Sequence, residues 1–310
     1  MTKFILIRFA RGVITLWAVV SFTFIVMRLT GDPARQLLPD NVSPEIIADF
    51  RARWGLDQSV LTQYLVYARN LFQLDFGQSI ASGRPALEMA LERVPATLEL
   101  TGTAFILMLV IGVPGGIVCA LNRGKWLDQF VMMISVLGHS LPNFVLGVGL
   151  IYLFAVMLKL LPSSGSATPE HLILPLVTLG VSGAAVIARF TRSAVLDVLE
   201  KPYIRAAMAG GESYRMTILR HVLPNAAVPI VTIIGFTVGG LIGGAIIVEQ
   251  VFAWPGIGRL LVETVGMRDF AIVQTLVMIF AVAMTAANFA VDVAYGFLNP
   301  KMRGDNHGHS

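Results

Sequence analysis

Tyr203-Ile204-Arg205-Ala206-Ala207-Met208-Ala209-Gly210-Gly211-Glu212-Ser213-Tyr214-Arg215-Met216-Thr217-Ile218-Leu219-Arg220-His221-Val222-Leu223-Pro224 is a polar island between two long apolar runs. Two short helical patterns flank Gly210-Gly211, and a double glycine supplies the positive φ or tight bend that a helix-turn-helix needs. Pro202 suits the opening of the first helix, where its missing N–H has no intrahelical partner. Ser213 is the expected N-cap of the second. A unit this short cannot bury a core of its own, so it requires a partner surface to dock on.

The runs around the island define its solvent. Of 310 residues, 55% are apolar and 14% charged, and the mean hydropathy is +0.74, whereas soluble domains carry roughly 25% charged residues. Apolar windows of about 20 residues predict transmembrane helices over 9–29, 97–121, 129–158, 172–193, 227–251 and 272–297. The expected fold is therefore all-α: a polytopic membrane protein with six transmembrane helices and a helix-turn-helix outside the bilayer. Six spans put both termini on one side. Lys3, Arg8, Arg11, Arg123, Lys125, Arg189, Arg192, Lys201, Arg205, Arg215, Arg220, Lys301 and Arg303 fall on that side, against Lys159, Arg259 and Arg268 in the two short opposite loops. The positive-inside rule then makes the island and both termini cytoplasmic. The basic start followed by an apolar run to Met27 imitates a secretory signal, but no small-residue cleavage site follows and Arg28 comes next. It reads as a retained first span.

These features divide the chain into a first span (1–29), an extracytoplasmic helical extension (30–95), a five-span core (96–300) that carries the loop 197–224, and a tail (301–310). In the extension, Ser43-Pro44-Glu45 opens a helix with Ile46, Ile47, Phe50 and Trp54 on one face. A second helix carries Val60, Leu61, Tyr64, Leu65, Ala68, Leu71 and Phe72, and a third short pattern leads to Pro95. Such stripes bury against each other, against the membrane surface or against a docked protein; a lid packed on the bundle is the expected arrangement. Glu99, near the start of the second span, is expected to place a charge at a helix N-terminus.

Within the spans, Gly112, Pro114, Gly115 and Gly116 permit close helix contact in lipid. The third span is broken at His139-Ser140-Leu141-Pro142-Asn143, and the backbone groups freed by proline need protein or water as partners. The fifth span repeats glycine at small-xxx-small spacing, with Gly235, Gly239, Gly240, Gly243 and Gly244. It is either a moving wall or a static packing face. His139 either lines a pathway or bonds the freed carbonyls. Glu249, at the outer end of the fifth span, either meets a cationic solute or sits at the interface. Asn288 and Asp292 share one face of the sixth helix.

Several segments, in chain order, carry a resemblance: Gly31-Asp32-Pro33, Gly55-Leu56-Asp57, Asp75-Phe76-Gly77, Pro95-Ala96-Thr97-Leu98-Glu99-Leu100, Ser140-Leu141-Pro142, Ala188-Arg189-Phe190-Thr191-Arg192, Phe252-Ala253-Trp254-Pro255-Gly256-Ile257-Gly258-Arg259, Arg268-Asp269-Phe270 and Asn299-Pro300. Together with Ala206-Ala207, Gly211 and Leu223-Pro224, which resemble the EAA loop, they are similar to inner-membrane permeases of binding-protein-dependent ABC importers, in the dipeptide, oligopeptide, nickel and glutathione subfamily. Arg205 stands where the loop's name has Glu, and His221 where an aliphatic is general. The resemblance implies a bacterial inner-membrane permease subunit that pairs with a second homologous permease, two ATPase subunits and an extracytoplasmic solute-binding protein. It implies alternating access, with short peptides as the expected solute and nickel chelates, glutathione or opines as alternatives. It also makes Tyr203, Arg205, Ala206, Ala207, Gly211, His221 and Pro224 the ATPase-coupling residues, and His139, Asn143, Gly239, Gly243 and Glu249 candidates for the translocation path.

Other chemistries have weaker support. The nearest fragment of a phosphate-cradling loop, Gly124-Lys125-Trp126, lacks the preceding glycine and the hydroxyl, so ATP and Mg are expected on partner subunits and no cofactor in this chain. No hydrolase or zinc-protease motif is present. An intramembrane enzyme using His139 and Asp292 is the rival from another class, and a passive channel a further one. No basic cluster with interleaved aromatics suggests nucleic acid. Cys119, the single cysteine, is expected in helix packing, and His307 and His309 in the tail are too few for a metal site.

Overall fold

The computed structural model describes residues 2–29 and 42–298. Gly31-Asp32-Pro33, Asn299-Pro300 and the tail with its two histidines lie outside the described residues, as do the side chains of His139 and Asp292. The described residues form helices and turns, with one isolated antiparallel bridge between Gln78 and Pro85 and no strand. The helices are α1 (Thr2–Leu29), α2 (Pro44–Arg53), α3 (Val60–Phe72), α4 (Ala86–Leu121), α5 (Trp126–Ser140), α6 (Asn143–Leu150), α7 (Ile173–Leu199), α8 (Pro202–Ala209), α9 (Tyr214–Thr217), α10 (Leu223–Val251), α11 (Ile257–Met267) and α12 (Phe270–Leu298).

Five helices are long and apolar enough to cross a membrane uninterrupted, and α5 with α6 make a sixth, broken span bent by 101°. The break falls at Leu141-Pro142, as the proline predicts. The rungs of α6 then widen into a π-helix over Ile151–Met157. Sequence patterning misplaced one helix start. Pro95 was expected to end a short segment, but α4 runs through it for 36 residues from Ala86, and Glu99 is mid-helix rather than at an N-terminus. A proline removes one rung and bends a helix, and the apolar stretch that follows makes continuation favourable in lipid.

The described residues divide into two compact units, one of residues 98–254 with the segments 2–6 and 286–298, the other of residues 7–29, 42–97 and 255–285. In the first, α4 and α7 approach closely. A Cβ on Gly112 would come within 2.9 Å of the Ala184 carbonyl oxygen, and one on Gly116 within 2.4 Å of the Ala188 carbonyl oxygen. Glycines four apart on α4 thus face alanines four apart on α7, the small-residue contact that replaces hydrophobic driving force in lipid. Gly116→Ala is expected to destabilise the chain by about 1–3 kcal/mol, the range for overpacking. Gly115→Ala, where nothing lies within 4 Å, should leave the thermal midpoint in detergent unchanged; equal midpoints for both variants would contradict this interface. On α10, Gly235 abuts Val291 and Gly244 abuts Leu179 and Asn143, whereas Gly240 and Gly243 face open space. Cys119 is buried, as expected for a packing residue.

In the second unit, α3 packs on α1 through aromatic rings. Trp17 stacks on Phe72 at 5.8 Å and Phe24 on Tyr67 at 5.5 Å, and the Ser21 and Tyr64 hydroxyls share a hydrogen bond of 2.6 Å. Ala68 and Leu71 are buried, but Leu61, Leu65 and Phe72 stay exposed, and α2 buries nothing fully. The expected lid therefore uses one face of α3 and leaves the other open. The motif pair Asp75-Phe76-Gly77 and Arg268-Asp269-Phe270 closes this unit: Asp75 Oδ1 accepts from Gly77 N–H, and Asp269 Oδ2 accepts from Ser79 Oγ at 2.5 Å.

Candidate functional site: the helix-turn-helix and the intrahelical cavity

The 203–224 stretch folds as a helix, a glycine turn and a second helix. Pro202 occupies the first turn of α8, and Ser213 caps α9 by accepting from Met216 N–H. Gly211 has φ +91°, a left-handed conformation open to glycine at little cost. Two hydrogen bonds close the turn, Gly211 N–H to Met208 O at 3.1 Å and Glu212 N–H to Ala207 O at 3.2 Å. This is the Schellman arrangement, which satisfies the last carbonyls of a helix through a residue of positive φ. The turn thus explains the glycine at 211, whereas the Ala207 carbonyl it uses would be supplied by any residue.

The second helix is not a separate piece. A π-helical turn, Ile218–Val222, joins α9 to α10 without interruption, and Leu223 N–H reaches Ile218 O. Pro224 follows inside the helix rather than ending it. Its ring would crowd the carbonyl of Arg220 in an α-turn, and the wider π turn relieves that contact. The turn is therefore continuous with the fifth span.

One face of the unit is anchored. Ile204 and Val222 are fully buried in a cluster with Ala120, Ala194, Val195, Val198, Ala226 and Ile230, which ties the loop to α4, α7 and α10. Burying an isoleucine side chain is worth roughly 1.5–3 kcal/mol. Elsewhere on the unit Tyr203, Met208, Tyr214, Met216 and Leu219 are exposed. Arg205 and Ala206 are exposed beside them, and Ala207 is half-buried. His221 lies across the turn from Glu212, 2.9 Å from its Oε2. Sequence reasoning placed the turn but not the exposed apolar side chains: Met208 lies one helical turn beyond the buried Ile204, and register alone would have put both on the same face.

A second feature escaped the sequence. Arg192 grips Asp128 through two bonds, Nε to Oδ1 at 2.5 Å and Nη2 to Oδ2 at 2.7 Å, and Asp128 Oδ2 also accepts from Gly124 N–H at 3.0 Å. Asp128 is buried. Arg123 Nη1 reaches Glu200 Oε1 at 2.6 Å. These pairs fasten the start of α5 and the preceding turn to α7, next to the helix-turn-helix.

Of the candidates for the path, only Asn143 lines the open cavity of about 240 Å³ bordered by α4, α6, α7 and α10. Its wall includes Met108, Ser182, Val186, Phe236, Thr237 and Gly240, and among the described residues no ionisable side chain lines it. Gly239 and Gly243 do not line it, and Glu249 is buried away from it. The His139 side chain lies outside the described residues.

Residues 112–304 match the family "Binding-protein-dependent transport system inner membrane component", and residues 1–101 match its N-terminal domain family. The chain belongs to this family. It is 42% identical to the glutathione transport system permease protein GsiC of Escherichia coli (strain K12), over 92% of this chain and 93% of that protein. It is 43% identical to GsiC of Salmonella paratyphi A over the same shares. A chain from an inward-facing structure of the MetNI methionine ABC transporter has a similar fold, with a TM-score of 0.57 at 23% identity, covering 68% of this chain and 96% of that one. The protein is thus a multi-pass inner-membrane permease subunit of an ABC importer, a transport subunit and not an enzyme, with ATP hydrolysis carried out by a separate subunit.

Proposed function

We propose that this permease passes short peptides, delivered by a solute-binding protein, through the cavity between α4, α6, α7 and α10. The observation that carries the reading is the neutral wall of that cavity. Asn143, Ser182 and Thr237 offer hydroxyl and carboxamide groups among apolar side chains, which suits a peptide backbone of varied side chains better than a fixed charge. Among the described residues no cluster of three or more His, Cys, Asp or Glu side chains is placed to hold a metal ion. A second reading, glutathione, is favoured by the relatives named for glutathione transport, and glutathione is itself a short peptide.

In this reading the free face of the helix-turn-helix, around Tyr203, Arg205 and Met208, docks on an ATPase subunit in the cytoplasm, where ATP and Mg are bound. The complex comprises this chain, a second homologous permease, two ATPases and one binding protein, with both termini of this chain cytoplasmic. Nucleotide binding closes the ATPases, and the docked unit transmits the movement to α7 and α10, so the states differ in free energy according to what is bound.

Substrate-stimulated ATP hydrolysis by the complex in lipid tests the substrate. Dipeptides and tripeptides are expected to raise hydrolysis several-fold in the presence of the binding protein. Stimulation by glutathione alone would select the second reading, and stimulation by a nickel chelate alone would overturn both.

A further inference from the structure

The second unit holds a cavity of about 290 Å³ at the C-terminal end of α1, bordered by α3 and the start of α12. Three polar atoms in its lining residues are withdrawn from water and lack a hydrogen-bond partner: Arg28 Nε, Gln63 Oε1 and Tyr67 OH. Buried polar atoms are nearly always paired, so three together in one cavity wall require an explanation. They belong to one contiguous group. Gln63 and Tyr67 are one turn apart on α3, Tyr67 stacks on Phe24 at 5.5 Å, and Phe24 carries the Arg28 guanidinium 5.3 Å above its ring. Phe270 holds the same guanidinium at 5.0 Å.

The chemistry of the three is specific. Arg28 contributes a positive charge and N–H donors, and no carboxylate among the described residues pairs with it. Burial, and then the neighbouring Tyr64, push the Tyr67 phenol well above its ordinary pKa, so its O–H stays a donor. Gln63 donates its amide N–H to Gln58 O at 2.7 Å, which leaves its Oε1 as an acceptor. A cation and a hydroxyl donor beside a carbonyl acceptor match a carboxylate next to an amide N–H. A bare anion such as phosphate would leave the acceptor unmatched. Asn70 and Gln274, also in the lining, supply further carboxamides for a peptide backbone.

We infer that this cavity binds the carboxyl-terminal end of a short peptide, with Arg28 and Tyr67 donating to the carboxylate and Gln63 accepting from the adjoining N–H. The site lies outside the neutral cavity proposed as the path and rests on the import reading only for the class of solute. The three atoms are shielded in this structure, so binding requires the side chains around them to move when the carboxylate enters. Charge-assisted bonds to a planar guanidinium then give the selectivity for a free C-terminus.

The test is equilibrium binding of dialanine to the complete complex in lipid nanodiscs, without nucleotide or binding protein, measured by titration calorimetry beside dialanine amide and inorganic phosphate. Dialanine is expected to bind, and its amide about tenfold more weakly. Arg28→Gln should abolish the component of binding that distinguishes dialanine from its amide, whatever the neutral cavity binds. Tyr67→Phe keeps the ring on Phe24 and removes one donor, so it should fold normally and bind several-fold more weakly. The inference is overturned by dialanine that fails to bind at millimolar concentration, by equal affinity for the amide, by binding unchanged in both variants, or by phosphate that displaces dialanine at equal concentration. A complex whose ATPase responds to peptides but whose binding ignores Arg28 and Tyr67 would refute this site and leave the import reading intact. Binding through these residues without any ATPase response would do the reverse.

Discussion

Asp128→Ala is expected to destabilise the chain by about 3 kcal/mol, the lower end of the cost of breaking a buried ion pair. Asp128 is buried, while the Arg192 side chain is 25% exposed, so water compensates part of the loss and the upper end of that range does not apply. Two causes add together. The guanidinium loses both of its carboxylate bonds, and Gly124 N–H loses its acceptor, which loosens the turn before α5. Arg192→Ala should cost more, because it leaves the buried Asp128 carboxylate without its cation, and the double variant less than the sum of the two single losses, because both remove the same pair. Thermal unfolding of the four proteins in one detergent measures this. Strictly additive losses would show that the pair is incidental to the α5–α7 contact.

Gly211→Pro is expected to remove transport coupling while leaving the membrane fold in place. Proline holds φ near −65°, but residue 211 has φ +91°, and proline also lacks the N–H that bonds Met208 O. The turn must therefore reopen, and α8 loses its orientation relative to the π turn and α10. The anchoring cluster around Ile204 and Val222 lies on the other side of the unit, so the spans themselves should still assemble. Solute uptake per ATP hydrolysed in reconstituted vesicles should fall at least about tenfold, a change of roughly 1.4 kcal/mol in coupling. Gly211→Ala meets no atom within 4 Å and suffers only from the backbone conformation, so its loss should be intermediate. Unaltered uptake by the proline variant would mean that the turn does not transmit the movement.

What could be read from the sequence was mostly local. Pro202, Ser213 and Gly211 each act on backbone groups within a few residues, and the structure places all three as their chemistry requires. The spans were legible because apolar length alone decides them. Errors and omissions arose where distant residues decide. Proline at 95 looks like a stop, yet the helix continues because the following apolar run is itself a span. Asp128 and Arg192 are 64 residues apart and read separately as ordinary charges near helix ends; only the packing of α5 on α7 pairs them. The π turn before Pro224 has no signature beyond the proline itself. Likewise, Gly235 and Gly244 could not be told from Gly240 and Gly243 by spacing, although only the first two are close-packed.

The measurement that bears most directly on the proposed mechanism is cross-linking from the free face of α8. Cys119 is the only cysteine and is buried, so Cys119→Ala gives a background in which Met208→Cys, on the exposed face, and Leu61→Cys, on the exposed side of α3, can each carry a short photoactivatable label in inner-membrane vesicles that contain the assembled importer. The proposed mechanism predicts that position 208 forms an adduct with an ATPase subunit and that position 61 does not. An adduct of position 208 with the solute-binding protein, or of position 61 with the ATPase, would contradict it.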